Sequence, residues 1–363
     1  MSYWKDRSLQ KLTEAEQYSL GAQKQIALLL KEAKKKVDRQ INEVYLAYSN
    51  KTGLAVDELA MVLNHTERAN FVLAIKAKMQ ELAINFKDVY HEGYLARLSR
   101  LDALREQIYW EMVKLAPKEI AIMEETFSRV ARQNYNDLGL EFKRFNIPVS
   151  FSQVDTNIIE QVLSRKWYGS NFSTRVWKNT EELARNIWLK IGGALSVGQS
   201  YQKTMRDIRG EFRVETYQAM RLVRTETNFI LNQSTLARYK SVGIRYYQYL
   251  ADLEGNICSV CRDLNGSVHK VNEAMTGDNY PPIHPNCRCT TVALFEEDKL
   301  DLEKIKESEG KIRGVAEDLD FITARPNKNS RHIYYFPKDA TAQEITEELG
   351  TDWVSKFVSN PNN

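Results

Sequence analysis

The chain has 363 residues, 43% hydrophobic and 27% charged, with 16 glycines, 8 prolines and 4 cysteines. That balance excludes a collagen-like, a wholly disordered or a small disulfide-stapled protein, and at roughly 150 residues per domain it suggests two or three folded units. Lys and Arg number 51 against 48 Asp and Glu, a net charge of +3, too weak a global field to mark a DNA-binding protein, so any nucleic-acid contact has to come from a local patch.

No apolar stretch approaches the roughly 20 residues that cross a bilayer, and the opening MSYWKDRSLQKL places charges where a signal peptide carries its apolar core. The expectation is a soluble protein that starts in a cytoplasm, with no membrane among its partners.

Before Pro281 the only prolines are Pro117 and Pro148, whereas Pro281, Pro282 and Pro285 crowd together. Proline removes a backbone donor and clashes inside a helix, so the chain up to that point can be largely helical and the 281–285 stretch cannot. Ile26, Leu29, Leu30, Ala33, Val37, Ile41, Val44 and Tyr45 recur at helical spacing, with Lys31, Lys34, Lys35 and Arg39 on the solvated side. The same period predicts helices from Glu67 to about Val89 and from Leu101 to Leu115, and a further one starting at Pro117 and stopped by Asn146 and Pro148.

Trp167, Tyr168, Phe172 and Trp177 read as core where helical layers meet. Leu183, Ile187, Ile191 and Leu195 form a stripe ending near Gly198, after which Ser200 can cap the next turns. Arg213 to about Ser241 is the last long helical stretch, on which Arg224, Asn228 and Asn232 share a face suited to holding neighbouring backbone. Beyond Gly243, IRYYQYLAD reads as a strand, Glu254-Gly255-Asn256 and Asn265-Gly266 as turns, and Thr290 to Leu294 as the last strand of a short meander. Residues 296–323 return to a charged helical pattern, followed by basic residues and then Tyr334, Tyr335 and Phe336.

The expected fold class is mainly α: an elongated helical N-terminal region (1–150), a helical region (151–243), a small α+β, β-rich Cys/His module (244–295) and a charged C-terminal extension (296–363).

Chemistry concentrates in one place. Cys258 and Cys261 form C-x-x-C, and Cys287 and Cys289 form C-x-C, with His269 and His284 between them. A two-residue gap lets a turn aim both thiolates inward, and residues two apart on an extended chain point the same way, so four sulfurs can meet a tetrahedral zinc ion. Cys258, Cys261, His284 and Cys287 form an equally serious set that leaves Cys289 buried. A structural metal is favoured over reduced buried thiols and over two disulfides, and a turn-rich setting argues against a redox C-x-x-C. A catalytic metal would need an open position and a base such as Glu226 or Asp263, and there is no H-E-x-x-H, phosphate loop, dinucleotide fingerprint or nucleophile elbow.

Arg224-Thr225-Glu226-Thr227, Asn232, Ala237, Tyr239, Gly243, Asp252, the C-x-x-C, Leu264-Asn265-Gly266 and Pro281-Pro282-Ile283-His284-Pro285-Asn286-Cys287-Arg288-Cys289 follow one another in an order that resembles the phage Mu F-like head morphogenesis domain. Upstream, Tyr3-Trp4-x-x-Arg7 and the run Trp167 to Trp177 resemble minor head proteins of phages and prophages of Gram-positive bacteria.

The resemblance implies a minor capsid protein in the head interior or at the portal vertex, in the host cytoplasm before assembly. Its implied partners are the portal protein and a major capsid or scaffolding protein, with double-stranded DNA as a further candidate. It also implies that Arg224, Glu226, Asn228 and Asn232 are structural polar residues and that Pro281, Pro282, Pro285 and Arg288 belong to a rigid loop. The cysteines with His284 become a zinc-binding or core knot, and no residue is assigned a catalytic role. DNA contact would fall to Lys31, Lys34, Lys35 and Arg39, or to Arg325, Lys328 and Arg331. The alternatives are a metal-dependent nuclease or hydrolase and a zinc-stabilised protein-binding adaptor; on balance the sequence leans away from an enzyme without settling it.

Overall fold

The computed structural model describes residues 2–50, 53–54, 56–149, 156–167, 169–197, 199–251 and 257–295, and three strands within 321–358. Two compact units are distinguished: residues 1–252 with 257–295, and residues 253–256 with 296–363.

In the first unit, α1 (Ser2–Tyr48) runs for 47 residues, about 70 Å at the helical rise. Ile26, Leu30, Ala33, Val37 and Ile41 recur every three or four residues and are all buried in the main core. That stripe holds α1 against the helices described next, because so long an amphipathic helix gains its stability from packing. A small hairpin, β1 (Ser49–Asn50) and β2 (Gly53–Leu54), and a short α2 (Val56–Ala60) lead to α3 (His65–Glu81). A reciprocal capping box starts α3: Asn64 Oδ1 accepts from Glu67 N while Glu67 Oε2 accepts from Asn64 N.

The helix expected from Glu67 to Val89 breaks early. Ala83 adopts a left-handed φ of 55°, and α4 (Phe86–Val89) and α5 (Glu92–Leu95) follow as separate turns. Apolar spacing carried through this break, so periodicity alone ran past it. Next come α6 (Arg100–Val113), α7 (Leu115–Arg144), α8 (Thr156–Ser164) and α9 (Phe172–Ser196). The long helix α10 (Tyr201–Ser241) has 41 residues and does not wait for Arg213, because Gly210 is accommodated inside it and Met205, Ile208 and Phe212 continue its buried stripe. Ser200 occupies the cap position of α10 without a side-chain cap hydrogen bond. Trp167, Phe172 and Val176 are buried in the same core, while Tyr168 and Gly198 lie outside the described residues.

The chain then forms β3 (Tyr246–Ala251), α11 (Ser259–Leu264), β4 (Val268–Lys270) and β5 (Cys289–Leu294). These strands pair antiparallel in the order β4-β3-β5, with Tyr249 opposite Thr291 and Ala251 opposite Cys289. Every residue of β5 is buried, and Tyr239 from α10 packs with Phe142, Tyr247 and Tyr280 in one cluster. The C-x-x-C does not sit in a turn-rich segment as expected: Cys258 is the N-cap of α11, its sulfur accepting from Cys261 N. The Glu254-Gly255-Asn256 turn lies outside the described residues.

The second unit contains β6 (Phe321–Arg325), β7 (Tyr334–Pro337) and β8 (Val354–Val358), an antiparallel sheet in the order β7-β6-β8. The helical pattern expected over 296–323 therefore ends in a strand at 321–323; the rest of it, with Lys328 and Arg331, falls outside the described residues. The chain thus has a mainly helical N-terminal region, a small β-plus-helix module carrying all four cysteines, and a C-terminal segment.

Candidate metal centre

The polar face of α10 positions the Cys/His module. Asn228 Nδ2 and Asn232 Nδ2 both donate to the carbonyl of Cys289 at 3.1 Å. Tyr280 Oη donates to Asn232 O at 2.7 Å, and Asn286 N donates to Thr225 Oγ1 at 3.0 Å. On one side of the 281–289 loop, Arg288 reaches α1 and forms a bidentate pair with Glu16 at 2.6 and 2.9 Å. Pro281 and Pro282 are buried and Pro285 is exposed, so the loop is fixed at its base and carries His284 on its shoulder.

Within this frame the four cysteines are reduced and converge. His284 Nε2 lies 3.1 Å from Cys258 Sγ and 3.3 Å from Cys261 Sγ, and Cys261 Sγ lies 3.8 Å from Cys287 Sγ. Cys261, Cys287 and Cys289 form a second close triplet. Zinc with arms of about 2.3 Å to sulfur and about 2.0 Å to nitrogen sets tetrahedral S···S separations near 3.8 Å and S···N separations near 3.5 Å. The observed spacings fit that geometry, so the cluster is consistent with metal coordination. His284 Nδ1 lies 2.8 Å from Pro285 O, which orients the ring with Nε2 toward the sulfurs, as a carbonyl partner does for metal-bound imidazoles.

The electrostatics point the same way. Hydrogen bonds from Cys287 and Cys289 hold the Cys261 thiol far below its ordinary range, while its partnership with Cys261 pushes Cys287 up to about 11. The hydrogen bond to Cys261 pushes His284 up to about 9. Thiol and imidazole donors must be deprotonated to bind a divalent cation, so metal binding here would release protons. Tyr249, whose hydroxyl lies 3.6 Å from Cys261 Sγ, is kept neutral by burial and closes the apolar side of the knot.

Sequence reasoning missed the buried pair behind the loop. Glu226 accepts a hydrogen bond from Arg175 Nη1 across α9 and α10, and burial pushes its carboxyl up to about 7 against the pull of Arg175. Arg175 stood inside the Trp167 to Trp177 run, but nothing in spacing pairs residues 51 positions apart. Glu226 does not face the sulfur cluster through any described contact. Arg224 is exposed, 3.3 Å from Gln23 Oε1. Lys31, Lys35 and Arg39 are exposed and Lys34 half-buried on α1, and Arg325 lies in β6.

Residues 185–292, from the middle of α9 through most of β5, match the family described as Phage Mu protein F like protein. A curated relative, the NAD(+)--arginine ADP-ribosyltransferase EFV of Enterococcus faecalis (strain ATCC 700802 / V583), is 26% identical over 276 residues, covering 71% of this chain and 56% of that protein. The chain thus spans little more than half of the relative's length. No solved structure matches. The leaning away from an enzyme is corrected by these findings: the relative is an enzyme by its name, and the Cys/His cluster is competent for a metal. Among the described residues, no helix is long and apolar enough to cross a membrane.

Proposed function

We propose that the first unit is a zinc-stabilised protein-binding adaptor of phage-head type, with Cys258, Cys261, His284 and Cys287 as the zinc ligands and Cys289 as the anchor that ties the knot to α10. The observation that supports the reading is the approach of His284 to Cys258 and Cys261 at 3.1 and 3.3 Å and of Cys287 to Cys261 at 3.8 Å, two close groups sharing Cys261, on a loop clamped by Asn228, Asn232 and Thr225. When bound, zinc supplies a cross-link between α11 and the 281–289 loop. Four protein donors leave no position for a reacting water, which separates this centre from a hydrolytic one.

The partner we assign is a phage head component, the portal protein or an inner-head scaffold; the match over residues 185–292 supports that choice. Co-expression with the portal protein of the same phage or prophage should recover a complex, and Cys258→Ser should lose both the metal and the complex. Metal analysis of the wild type should give about one zinc per chain, Cys287→Ser close to none, and Cys289→Ser a retained zinc. Zinc lost from Cys289→Ser but kept in His284→Ala would overturn the ligand set, and a metal-free wild type would overturn the adaptor reading.

The Enterococcus faecalis relative favours a second reading, in which the chain also carries NAD-dependent transfer of ADP-ribose to arginine, placed elsewhere than at the closed metal knot. Incubating the full chain with labelled NAD+ and a small guanidine acceptor should yield a labelled acceptor; absence of label under conditions where zinc is retained would sink it.

A further inference from the structure

A cleft of about 420 Å³ opens between α9 and α10, beside the metal knot, within the range of small-molecule sites. Its walls are two helical stripes that face one another: Arg175, Lys178 and Glu182 from α9, and Gln218, Arg221 and Thr225 from α10. Spacings of three, four and seven put each set on one side of its helix. Pro285, next to His284, borders the cleft.

The lining carries three cations against one acid, and one of the cations, Arg175, is paired with Glu226. Lys178 and Arg221 are exposed, and neither forms an ion pair among the described residues. Arg175 is different: its Nε donates to Ser170 Oγ at 3.1 Å, one Nη to Glu226, and the other to Trp167 O. These bonds, with a further one from Nη2 to Ser170 O at 3.3 Å, fix the guanidinium at the wall of the cleft and leave one Nη1–H without a partner among the described residues. A pre-fixed guanidinium flanked by Lys178 and by Arg221, which lies over the Tyr217 ring 5.9 Å from its centre, favours an anion with several acceptor oxygens. The space exceeds what an isolated phosphate fills, and Gln218 and Asn179 add neutral donors and acceptors for an organic body.

We infer that the α9–α10 cleft binds a phosphate-bearing ligand of nucleotide size, with Lys178, Arg221 and the fixed Arg175 holding its phosphates. The inference rests on the cleft and goes beyond the adaptor reading, which rests on the sulfur cluster. Glu226 is a positioning residue here, because among the described residues its carboxylate hydrogen-bonds only with Arg175.

The test uses the full, zinc-loaded chain and ADP as the probe, titrated by calorimetry alongside pyrophosphate, adenosine and a single-stranded oligonucleotide. Saturable one-to-one binding of ADP is expected, with adenosine not binding at the same concentration and pyrophosphate binding more weakly than ADP. Lys178→Ala and Arg221→Ala should each weaken ADP binding about tenfold, as for a lost charge-assisted hydrogen bond, while the distant Lys240→Ala leaves it unchanged. Lys178→Met and Arg221→Gln serve as a second pair should either alanine variant melt early. Failure of ADP to bind at millimolar concentration, indifference of both variant pairs, or binding confined to the oligonucleotide would overturn the inference. None of these results would touch the zinc content on which the adaptor reading depends.

Discussion

Two glutamates show how little a side chain's identity says about its surroundings. Glu119 on α7 and Glu215 on α10 sit among charged neighbours in the sequence and look like ordinary solvated helix residues, yet they are 2% and 4% exposed. Glu119 Oε1 has no hydrogen-bond partner among the described residues. Burial pushes Glu119 up to about 8 and Glu215 up to about 7, each helped by a further carboxylate. A buried acid with a raised folded-state pKa binds its proton more tightly when folded than when unfolded. Its favourable contribution is present at low pH and fades as pH climbs from the unfolded value near 4.5 through the folded one. Thermal melts should therefore show stability falling between about pH 5 and pH 8. Glu119→Gln should flatten that fall and raise the melting temperature at pH 8, by an amount on the order of a few kcal/mol in stability. A wild type that becomes more stable over that interval would contradict the assignment.

At the level of helices and strands, the sequence was most informative where one face had a single destination. The stripe Ile26 to Ile41 and the stripe Leu183 to Ile191 lie buried where periodicity put them, and the strand ending at Leu294 begins one residue earlier than expected. Ala83 was illegible because a single left-handed residue leaves no trace in apolar spacing. The helix under Cys261 was hidden as well: six residues, SVCRDL, are too few for a period, and the cap is a cysteine rather than a serine or aspartate. The metal cluster was readable as a set of residue types, but spacing could not show that Cys261 is shared by two close groups, one with Cys258 and His284 and one with Cys287 and Cys289.

The α7–α10 contact gives a sharper test at this scale. Arg238 is buried, its Nε donating to Tyr135 O at 2.9 Å and its guanidinium lying 3.5 Å from the centre of the Tyr135 ring. A methyl group at Gly139 would come within 2.9 Å of that guanidinium. Gly139→Ala should cost about 1–3 kcal/mol through overpacking, despite the better helix propensity of alanine. A neutral or stabilising result in chemical denaturation would mean that Arg238 can swing aside.

For the molecule as a whole, the sulfur knot is built into the same unit as the long helices, because β5 is paired to β3 and its first carbonyl is bound by α10. A strong chelator should then lower the melting temperature of the entire first unit in one transition, rather than release the small module first. The spectroscopic signature is simultaneous loss of helical signal and of tyrosine burial, since Tyr239, Tyr247 and Tyr280 join α10 to the sheet. Two separate transitions on chelation would show that the sheet and helices are only loosely coupled.

Trp4, near the start of α1, packs 5.7 Å from the ring of Phe295, with Phe142 and Phe145 alongside. Residues near position 4 and position 295 of the first unit are therefore held in one aromatic clasp, steadied by the ion pair of Arg7 with Glu141. Tension pulling the chain apart at those two points would act crosswise on a few rings instead of along the whole 47-residue rod. The clasp is accordingly where a mechanical load applied between Trp4 and Phe295 would be felt first.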